Sequence, residues 1–189
     1  MLTQTFQRLR PACACFAAGT LVWTDKGVVP IEQIKVGDWV LSHPENVKPS
    51  EVHRVPRDFK FAYRQVTRTF VHEDKLVSNL TAWDMANDIE ETIKVTPNHP
   101  VFEQYRGWIP VDQLKFGRVV KNRGLADLMV KDQQPTQERM RVFNIEVDEF
   151  HTYCVGKLGV WVHNKSNNLV EKESIPEKHT ASTPTALHR

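Results

Sequence analysis

One stretch of this chain occurs twice. Gly27-Val-Val-Pro30-Ile31-Glu32-Gln33-Ile34-Lys35-Val36-Gly37-Asp38-Trp39-Val40 returns 80 residues later as Gly107-Trp-Ile-Pro110-Val111-Asp112-Gln113-Leu114-Lys115-Phe116-Gly117-Arg118-Val119-Val120. Six of the fourteen positions are identical and five more are conservative exchanges, where average composition leads one to expect about one identity by chance. Two copies at so long a period do not make a solenoid. They predict two related halves packed about an approximate two-fold axis. Each copy carries an apolar run, a Pro, and a Gly ready for a turn, so each half reads as strand, turn, strand.

The flanking residues extend that β reading. Leu21-Val22-Trp23, Trp39-Val40-Leu41, Thr92 to Val95, Arg141 to Val147 and Val160 to Val162 are short, β-branched or aromatic runs, and all are expected to be strands. In the fourth of these, Phe143, Ile145 and Val147 share one face, while Asn144 and Glu146 point the other way. Leu80 to Glu90 could make a short helix; no long amphipathic helix is expected. The fold class is therefore all-β with short or no helices. The expected organisation is a flank at 1–12, a compact domain at 13–164 and a flexible tail at 165–189, where Ser, Thr, Glu, Lys and two prolines replace the apolar period.

Charge and composition exclude more than they identify. Of 189 residues 40% are hydrophobic and 25% charged, with 25 Lys and Arg against 23 Asp and Glu, as in an ordinary soluble globular protein. The basic residues are scattered, so no nucleic-acid partner is expected, and the stretch from His53 to Arg68 reads as solvated surface. No apolar run is long enough to span a bilayer, and no cleaved signal peptide is expected. Three cysteines, Cys13, Cys15 and Cys154, are no disulfide framework. A reducing compartment suits a catalytic thiol, which points to the cytoplasm for the chain as it stands, with localisation otherwise open.

Reactive residue types cluster just ahead of each repeat and at the end of the domain. Cys15-Phe-Ala-Ala-Gly19-Thr20 precedes the first copy and Thr96-Pro97-Asn98-His99 the second; His151-Thr-Tyr-Cys154 and Val160-Trp-Val-His163-Asn164 follow. These four blocks, in this order, resemble the Hint module shared by inteins and hedgehog-type autoprocessing domains, over roughly Cys15 to Asn164. They are most similar to the version placed ahead of toxin domains in bacterial polymorphic toxins. The 148 residues between Cys15 and Asn164 leave no room for an inserted endonuclease. The resemblance implies a pseudo-two-fold, horseshoe-like β fold whose substrate is its own chain, with a fused or neighbouring effector or toxin as partner.

The chemistry follows from residue types. A thiol at the head of the module can attack the carbonyl before it through a five-membered transition state, turning the Ala14–Cys15 amide into a thioester. The oxyanion then needs a donor and the departing amine a proton, roles that Thr96 and His99 suit. The bland alternative makes Thr96 a turn cap and His99 a core imidazole. At the other end Asn164 can cyclise to a succinimide, breaking the Asn164–Lys165 bond. His163 is adjacent, and the resemblance places His151 beside it; imidazoles have a suitable intrinsic pKa for such work.

Two departures shape the outcome. Lys165 stands where ligation of the flanks needs Cys, Ser or Thr, and Ser166 comes one residue too late. Single-turnover cleavage is therefore expected rather than splicing. Asn144 occupies the strand position where many inteins carry Asp, and Asn cannot act as a base. The rival reading is a catalytically inactive Hint remnant serving as a structural or interaction module. No cofactor is needed, since proximity and positioned acid-base groups suffice. No metal site is expected either: Cys13, Cys15, Cys154, His151 and His163 match no closed zinc pattern, Cys154 reads as a buried strand residue and Cys13 as incidental. With flanks of 14 and 25 residues, the chain reads as a fragment, a displaced remnant or a detached cassette.

Overall fold

The computed structural model describes residues 13–52 and 61–164; the flanks at 1–12 and 165–189, and the first part of the basic stretch, lie outside the described residues. Twelve strands carry the fold: β1 (Phe16–Ala17), β2 (Leu21–Thr24), β3 (Gly27–Pro30), β4 (Trp39–Ser42), β5 (Ala62–Asp84), β6 (Ile89–Val95), β7 (Pro100–Glu103), β8 (Gly107–Pro110), β9 (Val119–Lys121), β10 (Asp127–Val147), β11 (Thr152–Val155) and β12 (Val160–His163). Two short 3-10 turns, Ile31–Gln33 and Val111–Gln113, are the only helical segments among the described residues. Every one of the five expected strand runs falls within a strand.

The duplicated sequence is a duplicated structure, bond for bond. In the first copy Ile34 N–H bonds Ile31 O, Asp38 N–H bonds Lys35 O, Gly37 N–H bonds Val66 O, and Val66 N–H bonds Asp38 O. In the second, Leu114, Arg118, Gly117 and Val130 make the same four bonds to Val111, Lys115, Val130 and Arg118. Gly37 and Gly117 both adopt positive φ, 97° and 78°, which only glycine accepts without cost, so identity at this position follows from backbone geometry. β2 pairs with β3 as β7 pairs with β8, and β4 feeds onto β5 as β9 feeds onto β10.

The halves are clasped by their longest strands. β5 and β10 pair antiparallel from Val66↔Val147 to Trp83↔Met129, with four register irregularities that let so long a ribbon twist. Short β1 inserts between β10 and β6, with Phe16 opposite both Phe143 and Val95, and β11 closes the network by pairing with β12 and β2. The main core draws on both copies, with Ile31, Ile34 and Val40 from the first and Val111, Leu114 and Val120 from the second. A second cluster gathers Val52, Phe102, Cys154 and Trp161.

One expectation needs correction. Leu80 to Glu90 is no helix: it completes β5, turns at 85–88 and begins β6, with Leu80↔Ile93 and Trp83↔Glu90 in register. β-branched and aromatic neighbours pairing across strands outweigh a weak helical pattern. In the Arg141 to Val147 run Asn144 is buried as well as Ile145, so this stretch of β10 is covered on both faces. Of the basic stretch, Arg64 and Arg68 lie on β5 and pair with Glu149 and Glu146 at the surface.

Candidate functional site

Strand β1 ties the first cluster to the second. Thr96 N–H bonds the Cys15 carbonyl at 2.9 Å, and the Thr96 hydroxyl reaches both sides of Ala14. It accepts from Cys15 N–H at 2.9 Å and donates to the Cys13 carbonyl at 3.0 Å. The amide nitrogen of Cys15 is the atom that would leave in a thioester-forming step, so the hydroxyl stands at the departing amine rather than at the Ala14 carbonyl. Thr96 is more than a turn cap.

His99 is held three residues on by a turn in which its N–H bonds Thr96 O at 3.1 Å and its carbonyl accepts from Val111, the head of the second 3-10 turn. The ring is fully buried against Phe16, with centroids 4.2 Å apart, and lies edge-on to Tyr153. Burial, reinforced by the field of His163, lowers its pKa to about 3, while the Ala14 backbone pulls the other way. Neither ring nitrogen completes a hydrogen bond of ordinary geometry among the described residues. The Ala14 carbonyl is the backbone group that favours a proton on the ring. A neutral imidazole in this position can donate an N–H to charge growing on that carbonyl, as other buried histidines do.

The closing residues meet the same wall. Asn164 N–H bonds the His151 carbonyl at 2.9 Å, which is how His151, with a left-handed φ of 53°, touches the closing residue. The Asn164 carbonyl accepts from Asn144 Nδ2 at 3.2 Å. The Asn144 amide can have only one orientation there, because its Oδ1 already accepts from Tyr153 O–H at 2.7 Å and from Ile145 N–H at 2.9 Å. Asn164 Nδ2 has no hydrogen-bond partner among the described residues. An unpartnered carboxamide nitrogen and a hydrogen-bonded carbonyl thus occur in one residue. His163, on β12, is bonded through Nε2 to Glu45 at 2.6 Å and packs edge-on against Trp108.

A continuous chain of contacts joins the two ends of the domain: Cys15 leads into Phe16, Phe16 packs on His99 and on Tyr153, and Tyr153 bonds the Asn144 that holds Asn164. Sequence alone gives no role to Tyr153, which lies inside the His151-Thr-Tyr-Cys154 block, shows Asn144 only as a departure, and offers no motif around Glu45.

The cysteines correct the sequence reading most. Cys13 and Cys15 form a disulfide, with Cα atoms 5.7 Å apart, so Cys13 is not incidental and Cys15 holds no free thiol in this state. Their sulfurs lie within 4.8 Å of a ring nitrogen of His72 on β5, the one group of three metal-ligating side chains so gathered among the described residues. Cys154, His151 and His163 do not join it. Cys154 is buried in the second core cluster, and burial drives its thiol far above the usual range.

Comparison with known proteins identifies the family and the fold. The pretoxin HINT domain family matches residues 21–165, starting six residues after Cys15 and taking in Thr96, His99, His151, His163 and Asn164. The solution structure of a bacterial intein-like domain from Clostridium thermocellum is 31% identical, with a TM-score of 0.67, covering 81% of this chain and 100% of that one. A DnaB intein from Synechocystis sp. superposes with a TM-score of 0.64 at 18% identity, over 80% of this chain and 99% of that one. The gp41-1 intein does so at 0.60 and 19%, over 81% and 100%. No curated protein matches the chain.

Proposed function

The chain belongs to the pretoxin HINT domain family, and on that premise we propose that it is a single-turnover, self-cleaving module that severs its own flanks without joining them. Reduced Cys15 attacks the Ala14 carbonyl carbon. The C–N bond to Cys15 breaks, the freed α-amine takes a proton, and a thioester links Ala14 to Cys15 Sγ. Water then hydrolyses that thioester, releasing residues 1–14 with a new carboxylate. At the far end Asn164 Nδ2 attacks the Asn164 carbonyl carbon. Lys165 leaves as a free amine and Asn164 remains as a succinimide. In the family context the released tail stands where a toxin or effector would be attached.

The observation that carries this reading is the placement of side chains on the scissile groups themselves. The Thr96 hydroxyl is at the Cys15 amide nitrogen and the Asn144 amide is at the Asn164 carbonyl. Asn144, which cannot act as a base, here donates to a carbonyl that must accept negative charge, a task an ionised Asp could not perform. The roles follow: Thr96 steadies the departing amine, His99 donates to the Ala14 oxyanion, Asn144 to the Asn164 oxyanion, and His163, held by Glu45, moves the protons of tail release. His151 contributes its carbonyl to the position of Asn164.

Intact-mass spectrometry of the reduced chain tests it. Wild type should lose residues 1–14 and 165–189. Cys15→Ala should keep the first segment, and Asn164→Ala the second. Wild type and both variants remaining whole after prolonged reduction would establish the inactive remnant instead.

A further inference from the structure

We propose that Cys13, Cys15 and His72, once the disulfide is reduced, form a binding site for a soft divalent cation of the zinc type, present only while the Ala14–Cys15 bond is intact. The three side chains come from two places. Cys13 and Cys15 flank Ala14 ahead of β1, and His72 projects from β5. Lateral order explains the meeting: His72 pairs with Val142, and Val142 pairs with Ala17 at the end of β1. The sulfurs sit among Val77, Met140 and Val142, so His72 is the group able to complete a donor set there.

The dimensions suit a metal. Thiolate–zinc bonds of about 2.3 Å and imidazole–zinc bonds of about 2.0–2.1 Å in a tetrahedron separate the ligand atoms by roughly 3.5–3.8 Å. The present atoms lie within 4.8 Å of one another. Opening the disulfide and closing the cluster by roughly 1 Å therefore makes the site, and Cys13 and His72, both partly exposed, can move while buried Cys15 stays. Two thiolates and an imidazole select zinc or a similarly soft ion over magnesium or calcium. Three protein ligands leave a fourth position for water.

Cys13 lies on one side of the Ala14–Cys15 bond, and Cys15 and His72 on the other. Severing that bond releases a ligand, so the cation binds the uncut chain in preference to its products and stabilises it by mass action. A coordinated Cys15 sulfur cannot attack. This last consequence rests on the proposed function; the site itself does not.

The full-length chain is purified oxidised, then treated with a phosphine, which gives two electrons to the disulfide and leaves as its oxide, while water supplies the oxide's oxygen and the two thiol protons. After the intact mass is verified, it is titrated with zinc against a chromophoric chelator and with cobalt as a thiolate charge-transfer probe. One ion per reduced chain is expected and none per oxidised chain. Cys13→Ser and His72→Ala should each weaken binding at least tenfold, and His72→Cys should restore it, while thermal denaturation confirms folding. Binding that ignores both substitutions, or that persists in the oxidised chain, overturns the site. Cleavage is read separately by mass, so a chain that binds zinc but never cuts keeps the site and removes the function, and the reverse result does the opposite.

Discussion

Thr96 touches the Cys15 amide and Asn144 the Asn164 carbonyl, and each contact makes a separable prediction. Thr96→Ala removes the hydroxyl that bridges Cys13 O and Cys15 N–H. Cleavage at Ala14–Cys15 should slow by roughly 10²-fold while tail release persists, a scale typical of one positioned donor or acid. Asn144→Asp replaces the donor to Asn164 with an ionised acceptor, so tail release should fall by about 10²-fold, read as the rate of appearance of the 165–189 peptide. An increase in that rate would assign Asn144 to decay after all. Glu45→Gln weakens a charge-assisted bond to His163 worth about 1.5–3 kcal/mol, and should slow tail release roughly 10-fold or more. Cys15, Thr96, His99, His163 and Asn164 stand out in the sequence because they fall in ordered blocks of reactive residue types. Asn144 stands out only as a departure, and the donor role proposed for it depends on which end of the amide faces Asn164, which Tyr153 and Ile145 set. Glu45 and His72 carried no sequence signal; only the folded chain brings them to His163 and Cys15.

Elements explain why the strands were easier to read than their ends. The repeat exposed the Gly37 and Gly117 turns directly, since positive φ demands glycine in both halves. The 85–88 turn, with Asp84 accepting from Ala86 and Asn87 N–H, was hidden inside a run that counts as weakly helical. The β11–β12 turn is where one element can be tested alone. Gly156 has φ +75°, and an added Cβ would lie 2.6 Å from the Glu91 carboxylate. That carboxylate accepts from Lys157 and Leu158 N–H and holds the hairpin that ends in His163. Gly156→Ala should destabilise the domain by about 1–3 kcal/mol, lowering its melting temperature by roughly 2–10 °C in a denaturation scan. An unchanged melting temperature would show that the turn relaxes freely.

The whole molecule places two ends of a domain on one wall because the duplicated halves clasp through β5 and β10, and this frame was written in the repeat. Its buried histidines set its acid limit. His43 and His99 are held at about 4 and about 3 in the folded chain against 6.5 in an ordinary one, in both cases chiefly by burial. The unfolded chain therefore gains protons first as pH falls, so stability is full above about pH 6.5 and declines toward pH 4; urea midpoints across that window measure it. The disulfide sets a second limit, since a sulfur bonded to Cys13 cannot attack Ala14, and even a cut at that bond would leave the flank tethered. The central claim, that Cys15 converts its own amide into a thioester, is tested most directly by trapping. Hydroxylamine added to the freshly reduced chain should release residues 1–14 as an Ala14 hydroxamate and leave a fragment beginning at Cys15. The oxidised chain and Cys15→Ala should yield neither product. A reduced, folded wild-type chain that stays whole in hydroxylamine, or one cut equally in Cys15→Ala, would contradict the account.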